Sequence, residues 1–178
     1  MGNEQAGHRQ TLTAIGIWAL RITLGAVFVY SGFVKAIDPW GGLFKMEEYV
    51  AAMGLDLSRA IVLMGASLLA IFEFCLGVMT LTGSFRRLTP VLLCAFMAVM
   101  LPLTVWIYFA DPVSDCGCFG DALVISNGAT LLKNVVLTAM AVGLLLINKK
   151  AQPLFYPSLQ IWVVIWGGLY TGCLVLAG

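Results

Sequence analysis

Two cysteines separated by a single residue, Cys116-Gly117-Cys118, are the most reactive pairing in this 178-residue chain. They sit within Asp115-Cys116-Gly117-Cys118-Phe119-Gly120-Asp121. Joining the two sulfurs needs Cα atoms within about 6.8 Å, so the chain must turn there, and Gly117 turns at little steric cost. So small a ring is expected to be strained. Strained, exposed disulfides are the exchangeable ones, whereas structural bridges usually close longer loops. Two other chemistries stay open on the residues alone. The pair is a static bridge, or it offers soft sulfur ligands to copper(I) in a chain with eight methionines. Zinc is less favoured, because the sole histidine is His8 and two thiolates make an incomplete zinc site.

Exchange requires a thiolate, and the neighbouring charges oppose one another. Asp115 and Asp121 disfavour it. The positive end of the helix expected from Ala129, and Lys133 one turn into it, favour it. Lys133 therefore joins Cys116 and Cys118 as the expected catalytic set, with Lys35, at the far end of the first apolar segment, as a further outer-face cation. Cys75, Cys94 and Cys173 lie inside apolar runs and read as small hydrophobic residues. Cys173, the nearest of them to the outer face, is a weak candidate for a resolving thiol.

A second constellation lies inside the apolar segments, where charge is costly and tends to be paired. Arg21 is nine residues from the start of the first segment and Glu73 nine from the end of the second. At 1.5 Å per residue both fall about 13–14 Å deep, so an Arg21–Glu73 ion pair clamping the first two helices is expected.

These residues need a scaffold that lives in a bilayer. Hydrophobic residues make up 61% of the chain and charged ones only 11%, less than half the usual share of a soluble domain. The ten Lys and Arg are scattered and the net charge is +1, so no basic face for nucleic acid is present. A span needs about 20 mostly apolar residues. Five segments qualify: 12–34, 60–82, 90–110, 129–147 and 159–177. The first is too long for a cleaved signal core and is expected to remain. Arg9, Arg86, Arg87, Lys149 and Lys150 occupy the N-terminal tail and the even-numbered loops, while the third loop, 111–128, holds three Asp and no basic residue. The positive-inside rule then places the N-terminus inside and the cysteine loop and C-terminus outside. In the first outer loop, Leu43, Met46, Val50 and Met53 share one helical face, which predicts a short amphipathic helix, either sealing the bundle or covering the cysteine loop.

Arg21 with Gly25 and Ser31-Gly32-Phe33-Val34-Lys35, Glu73 with Gly77 and Gly83, and the Asp115–Asp121 stretch before Lys133-Asn134 resemble the DoxX and MauE-type redox-associated membrane proteins. The resemblance spans Arg21 to Ile147, with Cys-Gly-Cys-Phe-Gly its most specific part. It implies a four-helix membrane core tied to extracytoplasmic disulfide formation or quinone-linked sulfur oxidation. On it, Cys116 and Cys118 are the redox pair, Arg21 and Glu73 the core charges, and Lys35 and Lys133 the outer cations. The fifth segment departs from that core.

The expected protein is therefore an all-α, polytopic membrane bundle. Residues 1–11 form a cytoplasmic tail, 12–147 a four-helix core, and 148–178 a loop and fifth transmembrane helix. The expected function is that of an inner-membrane thiol-disulfide component exchanging with a thioredoxin-like partner or client on the periplasmic side, with a quinone as electron acceptor. The alternatives are a non-catalytic scaffold with a structural disulfide and a copper-handling membrane protein. Trp40, Phe44, Trp106 and Phe119 are candidates for a ring-binding pocket or ordinary interface aromatics.

Overall fold

A computed structural model describes residues 2–110, 126–147 and 157–177, with side chains placed for 13–110, 126–147 and 159–177. Every element among them is helical: α1 Gly2–Ile37, α2 Pro39–Ala52, α3 Arg59–Thr82, α4 Leu88–Ala110, α5 Asn127–Ile147 and α6 Pro157–Ala177. Five contain apolar stretches long enough to span a bilayer, from 25 residues in α1 (Thr13–Ile37) to 19 in α6 (Leu159–Ala177). These are the five segments read from hydropathy. The first helix, expected from residue 12, starts at Gly2. Polar residues such as Glu4 and Gln5 propagate a helix as well as apolar ones, so hydropathy marks where the bilayer begins rather than where the helix does.

Between lipid-exposed helices the hydrophobic effect supplies little attraction, so close packing of small residues must hold them together. In α1 and α3 that packing is backbone against backbone. A Cβ added at Gly32 would press on the backbone of Phe74 and lie 2.7 Å from the Ala70 carbonyl oxygen; one added at Gly77 would meet the Val29 backbone and lie 2.9 Å from the Gly25 oxygen. The two helices run antiparallel, with Gly25 beside Gly77 and Gly32 beside Ala70 and Phe74. Their other faces meet α4 and α5 in a core of Ile17, Leu24, Phe28, Leu76, Leu93, Met97, Leu137, Ala141 and Leu144. Ile22, Leu132, Leu146 and Trp166 point outward, as suits a surface solvated by acyl chains.

α3 ends at Gly83, whose φ of +66° is open to glycine at no Cβ cost. Its N–H bonds to the Thr80 oxygen and that of Ser84 to the Met79 oxygen. The Phe85 amide next donates to Gln160 Oε1 at 2.8 Å, tying α6 to the α3–α4 turn. Gly168 of α6 approaches the Cys75 sulfur, and Tyr170 stacks near Phe74 at 5.9 Å. The fifth span thus packs on α3 from outside the four-helix core.

α2 is the expected amphipathic helix. Asp38 caps it by accepting from the Gly41 amide at 2.8 Å, and Pro39 occupies its first turn, where no N–H is needed. Leu43 is fully buried, Met46 and Tyr49 face inward, and Met53, past the helix end, is exposed. Arg59 fastens the far side of α2 to the start of α3 through Glu47, at 3.3 Å, and by lying 5.4 Å over the Phe44 ring.

Candidate functional site

α1 carries Ser31 and Lys35 one helical turn apart, which puts both on the face toward α3. The glycine-built contact brings that face close enough for Glu73 to reach both. Lys35 Nζ donates to Glu73 Oε2 at 2.6 Å and to Ser31 Oγ at 3.0 Å, while the Ser31 hydroxyl donates to the same carboxylate oxygen at 2.7 Å. The Glu73 and Lys35 side chains are only 5% and 12% exposed, so water screens the pair little. A charge-assisted triangle of this kind answers the desolvation of two ions better than a lone contact would.

The expected Arg21–Glu73 pair is corrected by this arrangement. Arg21, 1% exposed, lies against Gly83 at the opposite end of α3 and 5.4 Å over the Trp18 ring. Gly83 is ten residues beyond Glu73, or about 15 Å along the axis. Matching depths by counting from segment ends assumed that the two helices end level, whereas α1 continues past the end of α3 toward Gly2. Arg21 remains a buried core charge, and Glu73 remains one, but each belongs to a different end of the bundle.

Glu73 stands between two cavities. The larger, about 290 Å³, is bounded by Lys35 and Glu73 at one side, Lys45, Met46 and Tyr49 of α2, Gly65, Ala66 and Leu69 of α3, and Met100 and Leu103 of α4. The smaller, about 30 Å³, adjoins Ser31, Glu73, Met100, Lys133 and Asn134. Its size suits one or two water molecules. Asn134 is buried and donates to Thr104 Oγ1 at 3.4 Å. The Lys35 expected at the outer face therefore turns inward onto Glu73, and Lys133 reaches the other side of the same carboxylate's surroundings.

Cys116 and Cys118, with Phe119 and the flanking aspartates, lie outside the described residues. Cys75, Cys94 and Cys173 carry free thiols; the first two are half-buried and Cys173 is exposed on α6. Trp40 and Phe44 point outward, and Trp106 packs beside Ile107 with Tyr49 and Leu103. None of these three lines the larger cavity; its lining includes instead Tyr49 and the flexible Met46 and Met100. Ser31 is the site residue that sequence reasoning does not single out; its position four before Lys35 is the available sign that the two act on one partner.

Five apolar helices that bury charges among themselves and show apolar side chains to their surroundings define a multi-pass membrane protein in contact with lipid. A family model described as Methylamine utilisation protein MauE matches residues 13–147, and the chain belongs to that family. No curated protein and no solved structure matches it.

Proposed function

We propose that this protein is a membrane accessory of methylamine utilisation that exchanges disulfides through Cys116 and Cys118 on the periplasmic side of the bacterial inner membrane. The observation that carries the reading is the Cys-Gly-Cys pair itself, in a loop with three aspartates and no basic residue. The described helices on either side of it add support: α4 and α5 are joined by the Asn134–Thr104 hydrogen bond, and the last turns of α4 lie beside Tyr49 of α2 and the cavity that Lys35 lines. A thiolate of a thioredoxin-like partner or client attacks the Cys116–Cys118 disulfide, giving a mixed disulfide that the partner's second thiol resolves, which leaves the pair as two thiols and the partner as a disulfide. When the pair is reoxidised, two S–H bonds break, one S–S bond forms, and two electrons and two protons leave. A quinone in the bilayer takes up both and becomes the hydroquinone.

Replacing either Cys116 or Cys118 with serine should strand the other in a mixed disulfide. Acid-quenched cells run on non-reducing gels will show an adduct that reductant collapses, and the cysteine retained in the better-trapping variant is the sulfur that the partner reaches. No adduct from either variant, with biological activity kept when both are serine, would favour a scaffold with a static bridge and end this reading. The orientation is tested separately. A lone cysteine at Ser126, in an otherwise cysteine-free chain, should react with an impermeant maleimide in spheroplasts; labelling at Ser84 instead would invert the topology.

A further inference from the structure

We propose that the 290 Å³ cavity beneath α2 is the binding site of a lipid-soluble ring bearing a carbonyl oxygen, held at that oxygen by Lys35 beside Glu73. The inference deepens the redox reading and rests on it for its purpose, though binding can be measured without it. Ligand cavities begin near 300 Å³, and this one is large enough for a substituted six-membered ring but not for a peptide segment. Its walls are mostly apolar, with Met46, Ala66, Leu69, Met100 and Leu103, and methionines can reshape around a planar ring. Lys45 and Tyr49 of α2 line it as well, and at its other side stand Lys35 and Glu73. An ammonium has three donors, and two of those of Lys35 are directed at Ser31 and Glu73, so the bound ring's oxygen would take the third from the cavity that Lys35 lines.

An acyl chain filling the same space would bring no acceptor to that ammonium, and a small hydrated anion would leave the mostly apolar walls of Met46, Leu69, Met100 and Leu103 uncovered. A ring carbonyl satisfies both requirements. When the ring carries two conjugated carbonyls, as a quinone does, two-electron reduction adds a proton to each oxygen, so two O–H bonds form and the two C=O double bonds become single. The Lys35–Glu73 pair stands where one of these protons is delivered, and the small cavity with Lys133 and Asn134 lies on the other side of Glu73, where a replacement proton enters. The two protons and two electrons equal those released when the cysteine pair closes to a disulfide.

Gly65 provides a test that leaves the ion pair intact. It lines the cavity, and a Cβ added there meets nothing within 4 Å, so Gly65→Leu fills the space without striking the backbone. Purified protein in nanodiscs of phosphatidylethanolamine and phosphatidylglycerol, both unsubstituted and as the Cys116→Ser/Cys118→Ser double variant, is irradiated with a short-tailed azido-ubiquinone and its peptides are mapped by mass spectrometry. Label is expected on α2 and around Met100–Leu103 in both proteins, displaced by excess unlabelled short-tailed ubiquinone. Gly65→Leu should reduce it about tenfold, a difference of one decade in affinity, whereas Gly172→Leu, on α6 with nothing within 4 Å, should leave it unchanged. Label spread over the lipid-facing surface of α6, or undiminished by Gly65→Leu, would overturn the site. Should Gly65→Leu fail to assemble, the position of the label in the unsubstituted chain decides alone. Loss of the mixed-disulfide adduct with labelling intact would remove the thiol reading and keep the site.

Discussion

Glu73→Ala should lower the apparent melting temperature of the detergent-solubilised protein by roughly 10 °C, because it strands Lys35 in a nearly dry site at a cost of about 3–5 kcal/mol. Lys35→Ala should do comparable harm by stranding the carboxylate, which keeps the Ser31 hydroxyl but loses its 2.6 Å ion pair. The informative variant is the double one, Glu73→Leu with Lys35→Met. Two apolar side chains of similar volume replace a buried ion pair at little or no net cost, so much of the lost stability should return. Arg21→Ala is the contrast. Its guanidinium sits against Gly83, far from Glu73, so its effect should add to that of Glu73→Ala within about 0.5 kcal/mol. Melting curves of these variants, of the Arg21→Ala/Glu73→Ala and Lys35→Ala/Glu73→Ala double variants and of the unsubstituted protein, followed by loss of monodisperse material, provide the measurement. If Lys35→Ala and Glu73→Ala were themselves additive, the 2.6 Å contact would carry no coupling and the site would lose its anchor.

The features of this fold that were legible in the sequence are those a single segment decides. Twenty apolar residues make a span wherever they stand, and Asp38-Pro39 followed by apolar residues at helical spacing makes α2, because hydropathy and capping act within a few residues. What one helix does relative to another is a different matter. Arg21 and Glu73 looked level only because their distances from segment ends were equal, and the true register is set by Gly25, Gly32 and Gly77, where backbones touch. Glycine rows on two helices do not say which glycine pairs with which. Lys35 was harder still. A lysine near a helix end is expected to extend toward the interface, and only the presence of Ser31 and Glu73 on the facing surfaces turns it inward. The cavity was hidden for the same reason, since its lining comes from four helices and the aromatics that suggested a ring pocket, Trp40 and Phe44, point away from it.

The register itself yields the remaining large effect. Gly32→Leu should prevent α1 and α3 from closing, whereas Gly16→Leu on the same helix should be tolerated. At Gly32 the added carbons would meet the Phe74 backbone and the Ala70 carbonyl, which cannot swing aside as a flexible side chain would. At Gly16 a Cβ meets nothing within 4 Å, and removing a glycine from a helix interior is favourable by roughly 0.5–1 kcal/mol. Overpacking a core usually costs about 1–3 kcal/mol. Here the cost should reach or exceed the top of that range, because parting the backbones also pulls Ser31 and Lys35 away from Glu73. The failure should therefore be specific. Gly32→Leu protein that still inserts should melt on the order of 10 °C lower, and adding Glu73→Ala to it should cost far less than in the unsubstituted chain, since the pair is already parted. Equal stability of Gly32→Leu and Gly16→Leu would mean that α1 and α3 do not meet along the Gly25, Gly32 and Gly77 seam, and the placement of Glu73 beside Lys35 would fall with it.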